Sequence, residues 1–268
     1  MNLTKHIVAL VVIANLFAVG CITAPNQDTG DLFLPPFPSS LSPEPSIPPP
    51  NPKWRLVGSG SSFCVSDDGY FLTNYHVIED AEKVELETAE TGKVAAKVAK
   101  IDPVNDLALL KVEGSFRPVR FQYTPKVSLG DRIVVMGFPA PDLQGVEVKA
   151  TQGTVSGENG MKDYVGVFQM DATVQPGNSG GPVANANGEV VGVAVSSVDA
   201  VKVAISGGYV PQNVNYAVKS AYAIAFLNST ECAGKFLQAR GSASNMEEAI
   251  EQLRESTALV RVYQKEEQ

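Results

Sequence analysis

The stretch Gln175-Pro176-Gly177-Asn178-Ser179-Gly180-Gly181-Pro182-Val183 decides how this chain is read. A serine sits among three glycines and between two prolines. Glycine reaches positive φ and lets another backbone or a ligand come close. Backbone N–H groups around such a serine can converge on a developing oxyanion, as a nucleophile turn requires. By itself the segment also fits an ordinary surface loop, so its weight depends on what the rest of the chain supplies.

Chain order narrows the choice. The segment satisfies G-x-S-x-G, the α/β-hydrolase elbow, in which the histidine follows the serine. No histidine follows Ser179, so that arrangement is excluded. A subtilisin-like order needs an aspartate well ahead of the histidine. The acids just before His76 are Asp67 and Asp68, inside Ser66-Asp67-Asp68-Gly69, where Asp-Gly signals a hairpin turn. The order His, Asp, Ser remains. His76 lies in Leu72-Thr73-Asn74-Tyr75-His76-Val77-Ile78, after an apolar strand, at a loop or short helical turn. Seven aspartates separate it from Ser179. Asp106 is the best placed, because it directly precedes Leu107-Ala108-Leu109-Leu110, a run suited to burial that can hold a carboxylate beside an imidazole. Asp102 is the runner-up, but Pro103 follows it and places it in a turn. Asp171 stands too close to Ser179 to orient the histidine and reads as structural, near the pocket.

The surrounding pattern is one of strands. Short apolar runs bounded by turns fill Lys53 to about Val218: Phe63-Cys64-Val65, Tyr70-Phe71-Leu72-Thr73, Val84-Glu85-Leu86, Leu107 to Val112, Arg132 to Gly137, Gly153 to Ser156, Val190 to Val195 and Val214 to Val218. Many short strands without intervening helices argue for an all-β barrel or sandwich. With 23 glycines and 18 prolines in 268 residues, the composition agrees. Beyond Lys219 the pattern changes. Ser220 is placed to cap a helix over Ala221 to Leu227, and Ser244-Asn245-Met246-Glu247-Glu248 offers overlapping capping boxes for a second helix from about Met246 to Val260.

The first fifty residues have another character. Residues 1–20 carry Lys5 and His6 and then an apolar run from Ile7 to Val19, the length of a secretion-signal core and short of the roughly 20 residues a spanning helix needs. The run ends Ala18-Val19-Gly20-Cys21, which resembles a bacterial lipoprotein signal and implies lipidation of Cys21. Removal of the leader takes His6 with it, leaving His76 as the one histidine of the mature chain. Ten of the 18 prolines fall between Ala24 and Pro52, so residues 21–52 read as a lipidated Cys followed by an extended, semi-rigid spacer. A formal net charge of −8 argues against nucleic-acid binding by phosphate neutralisation. Cys64 and Cys232 fit either a disulfide or two buried thiols.

Taken together, Gly58-Ser59-Gly60-Ser61-Ser62-Phe63, Gly69 to Val77, Asp106 to Val112 and Gly177-Asn178-Ser179-Gly180-Gly181-Pro182 resemble the trypsin-like serine peptidases, and within them the HtrA/Deg branch. Val214 to Val218 resembles the strand before that branch's C-terminal helix. The resemblance spans about Lys53 to Leu227. It implies a mainly β fold of two six-stranded antiparallel β-barrels with C-terminal helices, His76 and Asp106 on the first barrel and Ser179 on the second. It implies a peptidase domain over 53–228, followed by a C-terminal helical extension over 229–268. Ser62 stands where glycine is frequent, and about 40 residues after Leu227 leave no room for a PDZ domain.

The implied chemistry is endopeptidase action by His76, Asp106 and Ser179 through an acyl-enzyme, with Gly177 and Ser179 N–H groups forming the oxyanion hole. Thr173 is expected near the base of the primary pocket, and since it is not acidic, small or medium apolar residues are expected at the cleavage site. No metal or organic cofactor is called for. The expected partners are polypeptide substrates and, through Cys21, a membrane of the cell envelope. The other function open at this stage is a catalytically silent lipoprotein on a protease fold, serving as a peptide-binding or quality-control scaffold.

Overall fold

In the computed structural model, residues 53–88, 90–122, 126–195, 213–238 and 242–266 are described. The leader, Cys21 and the proline-rich spacer lie outside the described residues. The strands are β1 Trp54–Cys64, β2 Tyr70–Thr73, β3 Lys83–Thr88, β4 Gly92–Asp102, β5 Leu107–Lys111, β6 Arg120–Phe121, β7 Arg132–Gly137, β8 Lys149–Gly157, β9 Val167–Met170, β10 Pro182–Asn185, β11 Glu189–Val195, β12 Asn215–Lys219 and β13 Thr257–Lys265. The helices are α1 Tyr75–Ile78, α2 Pro141–Gln144, α3 Ser220–Asn228 and α4 Met246–Ser256.

The strands make two six-stranded antiparallel barrels. The first closes in the order β1-β13-β3-β4-β5-β2. The second runs β10-β7-β8-β9-β12-β11 and closes where β11 pairs back on β10, with short β6 added in parallel to β11. Residue alternation explains how one strand serves two cores. In β5, Ala108 and Leu110 point into the first barrel with Phe71, Leu86 and Val260. Leu107 and Leu109 point the other way, into a shared cluster with Phe63, Leu72, Val134 and Met136. A strand covered on both faces carries an unbroken apolar run. The second barrel has its own core of Ile133, Val135, Phe168, Met170 and Val183.

Two helix readings are corrected. Helix α3 begins at Ser220, and the residue before it, Lys219, makes no side-chain cap, so Ser220 opens the helix rather than capping it. Helix α4 is capped as the capping box proposes: Asn245 Oδ1 accepts from the Glu248 N–H at 2.9 Å, and Glu248 accepts from the Ser244 N–H at 2.8 Å. However, it stops at Ser256 instead of continuing to Val260. From Thr257 the apolar period becomes two, with Ala258, Val260 and Val262 all facing the first barrel's core. The tail expected as a helical extension thus supplies the sixth strand of the first barrel. β13 lies between β1 and β3, pairing Trp54 with Lys265 at one end and Phe63 with Thr257 at the other.

Candidate active site

The turn after β2 carries His76, and the entrance to β5 carries Asp106. Asp106 holds φ 54, a left-handed conformation that aspartate tolerates better than most residues. Behind it, Asp102 shapes the preceding turn, accepting from the Val104 and Asn105 N–H groups at 3.2 Å each. Asn74 Nδ2 donates to the Asp106 carbonyl at 2.8 Å. The result is a carboxylate with both oxygens on one residue: Oδ1 accepts from the His76 backbone N–H at 2.9 Å, and Oδ2 lies 2.7 Å from His76 Nδ1. With Nδ1 engaged as a donor to the carboxylate, Nε2 is the ring nitrogen left to act as a base.

Ser179 comes from the second barrel, on the turn between β9 and β10, and is buried. Its peptide is held from both sides. The Ser179 carbonyl accepts from the Ser61 N–H of β1 at 2.8 Å, and the Gly180 N–H donates to the Ala194 carbonyl of β11 at 2.9 Å. Gly177 has φ +100, and a Cβ there would run into the Phe138 carbonyl, so this position takes only glycine without strain. The carbonyl of Pro176 accepts from the Ala140 N–H at 2.8 Å. Because the peptide is planar and trans, the Gly177 N–H points opposite to that carbonyl, away from Ala140. Ser61 secures the other side of Gly177: its hydroxyl donates to the Gly177 carbonyl at 2.7 Å and accepts from the Phe138 N–H at 3.0 Å.

These residues meet in a cleft of about 300 Å³ lined by His76, Pro176, Gly177 and Ser179, and by Val57, Gly58, Ser59, Val77, Asp80, Val262 and Gln264. A buried serine, an imidazole held by a carboxylate and a positive-φ glycine at one cleft can carry out acyl transfer by general base and oxyanion stabilisation. Thr173 is exposed, with its carbonyl bonded by Thr151 Oγ1 at 2.9 Å, and is not among the residues lining this cleft. Asp171 ties β8 to the segment after β9 by accepting from the Thr154 N–H and, at 3.0 Å, its hydroxyl. Cys64 and Cys232 are both buried free thiols.

Four contributors were not legible in the sequence. Ser61 carries no local signal beyond its place in a Gly-Ser stretch. Ala140 sits in the left-handed region at φ 41 without being Gly, Asn or Asp, so nothing in its residue type announces it. Val262 and Gln264 belong to β13, past the helix expected to end near Val260 and within the tail expected as a helical extension.

Residues 58–193 match the family model for a trypsin-like peptidase domain. An uncharacterized protein of Sinorhizobium fredii, y4bJ, is 34% identical over 197 residues, covering 72% of this chain and 30% of that protein. A Chlamydia trachomatis protein described as a probable periplasmic serine endoprotease, DegP-like, is 36% identical over 177 residues, covering 64% of this chain and 33% of that protein. The chain thus spans about a third of the length of these relatives. The crystal structure of the serine endoprotease from Yersinia pestis superposes with a TM-score of 0.53 at 29% identity, over 63% of this chain and 56% of that one.

Proposed function

The chain belongs to the trypsin-like peptidase domain family, and from that premise we propose that it is a serine endopeptidase acting on polypeptides of the cell envelope or outside the cell. The observation that carries this is the His76 ring, bonded through Nδ1 to Asp106 and sharing one cleft with Ser179 and Gly177.

In this reading Ser179 Oγ attacks the scissile carbonyl carbon while His76 Nε2 takes its proton. Asp106 keeps the imidazole in the tautomer with Nδ1–H and stabilises the imidazolium. The oxyanion is received by the Gly177 and Ser179 N–H groups, a donor being worth about 3–4 kcal/mol. The C–N bond then breaks, the amine leaves with the proton from His76, and the acyl group stays on Ser179. Water, deprotonated by His76, releases the acid and restores the serine. Export and a lipid on Cys21 complete the proposal. Export is supported by the leader and by relatives described as periplasmic, and the lipid by the Ala18-Val19-Gly20-Cys21 pattern alone.

The test is fluorophosphonate labelling of the full chain with the adduct mapped by mass spectrometry. Labelling at Ser179 that disappears in Ser179→Ala and His76→Ala supports the endopeptidase. A folded chain that does not label overturns it in favour of a silent peptide-binding scaffold.

A further inference from the structure

A second groove lies outside the catalytic cleft, and among the described residues the two have no lining residue in common. It encloses about 530 Å³, a size ordinary for a ligand site. Three elements wall it: the end of β3 with Glu87 and Thr88, the outer side of α4, and the loop from Phe138 to Val148. On α4, Ala249 and Leu253 are buried in the body, while Glu251, Arg254 and Glu255 share the face that lines the groove. The loop side is apolar. Val148 is half-buried, but Val146 is 50% exposed, and Leu143 earlier in the same loop is 89% exposed. Exposed aliphatic side chains beside a groove are surface that a partner can bury.

Charge selects the partner. Glu87, Glu90, Glu147, Glu251 and Glu255 line the groove, and among the described residues Arg254 is the one cation in its lining. Arg261 and Arg117 reach Glu87 and Glu255 from outside it, at 2.6 and 2.9 Å. The other pairs are loose: Glu147, 85% exposed, lies 3.2 Å from Lys149, and Glu251 lies 3.7 Å from Arg254 with both side chains more than half exposed. Exposed pairs of this kind are worth about 0–1 kcal/mol, so an incoming cation replaces them at little cost.

We propose that this groove binds a peptide segment with aliphatic side chains between lysines or arginines, and that in the peptidase it is an exosite for a part of the substrate remote from the scissile bond. The aliphatic side chains lie against Val146 and Val148, and the cations meet the carboxylates. The exosite role rests on the endopeptidase reading above, in which the substrate is a polypeptide that extends beyond the cleft. Phe138 joins the two sites. It lines the groove, while its N–H bonds Ser61 Oγ and its carbonyl packs against Gly177. One residue thus separates groove and oxyanion turn, and one polypeptide can occupy both.

The experiment uses the full chain and substrates that share one cleavable sequence. The long form adds Lys-Leu-Leu-Lys through a glycine-serine linker, in two versions, one at each end. At least one long form is expected to exceed the short form in kcat/KM by about tenfold or more, through KM, because tethering makes the second contact intramolecular. Glu251→Lys and Val146→Ser, both at exposed positions, are expected to bring the ratio close to one and leave the short substrate unchanged. A Glu-Leu-Leu-Glu extension is expected to give no gain. Equal kcat/KM for long and short forms, or a ratio that neither variant changes, overturns the exosite while leaving the serine chemistry standing. Acceleration of the short substrate by free Lys-Leu-Leu-Lys also overturns it, since that marks an effector site. Fluorescence anisotropy of the labelled peptide with Ser179→Ala reads the groove without turnover, and no binding there overturns the groove itself. A wild-type chain that does not label at Ser179 overturns the endopeptidase reading and the exosite with it, and peptide binding that Glu251→Lys abolishes then keeps the groove as a site for basic peptides.

Discussion

Ser61 holds Gly177 across the junction of the two barrels, its hydroxyl donating to the Gly177 carbonyl at 2.7 Å from 116 residues away in sequence. The same oxygen accepts from the Phe138 N–H, so one buried hydroxyl fixes two loops of the second barrel against a strand of the first. Ser61→Ala leaves a buried donor and a buried acceptor unpaired, at a cost of about 1–3 kcal/mol. The peptide between Gly177 and Asn178 then keeps only the bond from its Asn178 N–H to the Gln175 carbonyl. We expect peptide kcat to fall by up to about a hundredfold, the scale of losing one oxyanion donor. Unfolding in urea and peptide turnover check the two parts separately, and unchanged turnover would show that the backbone bonds of Ala140 and Asn178 hold the turn without Ser61.

Asp106→Asn tests the orienting carboxylate with little change in volume. Asparagine also tolerates the left-handed backbone at φ 54, so the chain is expected to fold. An amide cannot accept from both the His76 N–H and Nδ1–H, and the wrong tautomer follows. Peptide kcat is expected to drop by about 10⁴. A drop smaller than about tenfold would remove Asp106 from the orienting role.

Ending the chain at Ser256 removes β13 but no proposed catalytic residue. The edges of β1 and β3 are then unpaired, and the first barrel loses the fully buried Leu259 and Val260. Labelling at Ser179 and cooperative thermal unfolding are both expected to vanish. The milder Leu259→Ala should cost about 2–5 kcal/mol by the usual cavity scale. A truncated chain that still labels would mean that β13 is dispensable for the site.

Burial pushes the Cys64 thiol from its ordinary value of 9.0 up to about 12. The unfolded chain loses this proton from pH 9 upward while the folded chain keeps it. The contribution to stability is therefore whole below pH 9 and declines as pH rises toward about 12. The slope approaches about 1.4 kcal/mol per pH unit within that window. Cys64→Ala should flatten this part of the stability curve relative to wild type. Denaturant midpoints at pH 8, 9.5 and 10.5 measure it, and identical slopes in the two proteins would contradict it.

Features set by near neighbours were legible in the sequence. Asp-Gly at 68–69 marked the turn between β1 and β2, and the Leu107–Leu110 run announced a strand buried on both faces. The capping box at Ser244–Glu248 marked the start of α4. Strand β4 was not legible, because most of its residues are exposed and lysines at 93, 97 and 100 leave only the short, small Val94-Ala95-Ala96 as an apolar run. The end of α4 was misread because Ile250 and Leu253 keep helical spacing up to the point where the period changes.

The sequence by itself determined the order His76, Asp106, Ser179, the glycine turn around Ser179, and the β character of the body. Each of these follows from residue type and local spacing, which the chain carries wherever it folds. Only the tertiary structure decided that Thr257–Lys265 is a strand closing the barrel that holds His76, since a strand exists only where partners such as β1 and β3 present unpaired backbone groups. It also decided that Ser61 and Ala140 hold the peptides on either side of Gly177. Those are hydrogen bonds between segments far apart in sequence, and no property of either residue alone encodes them.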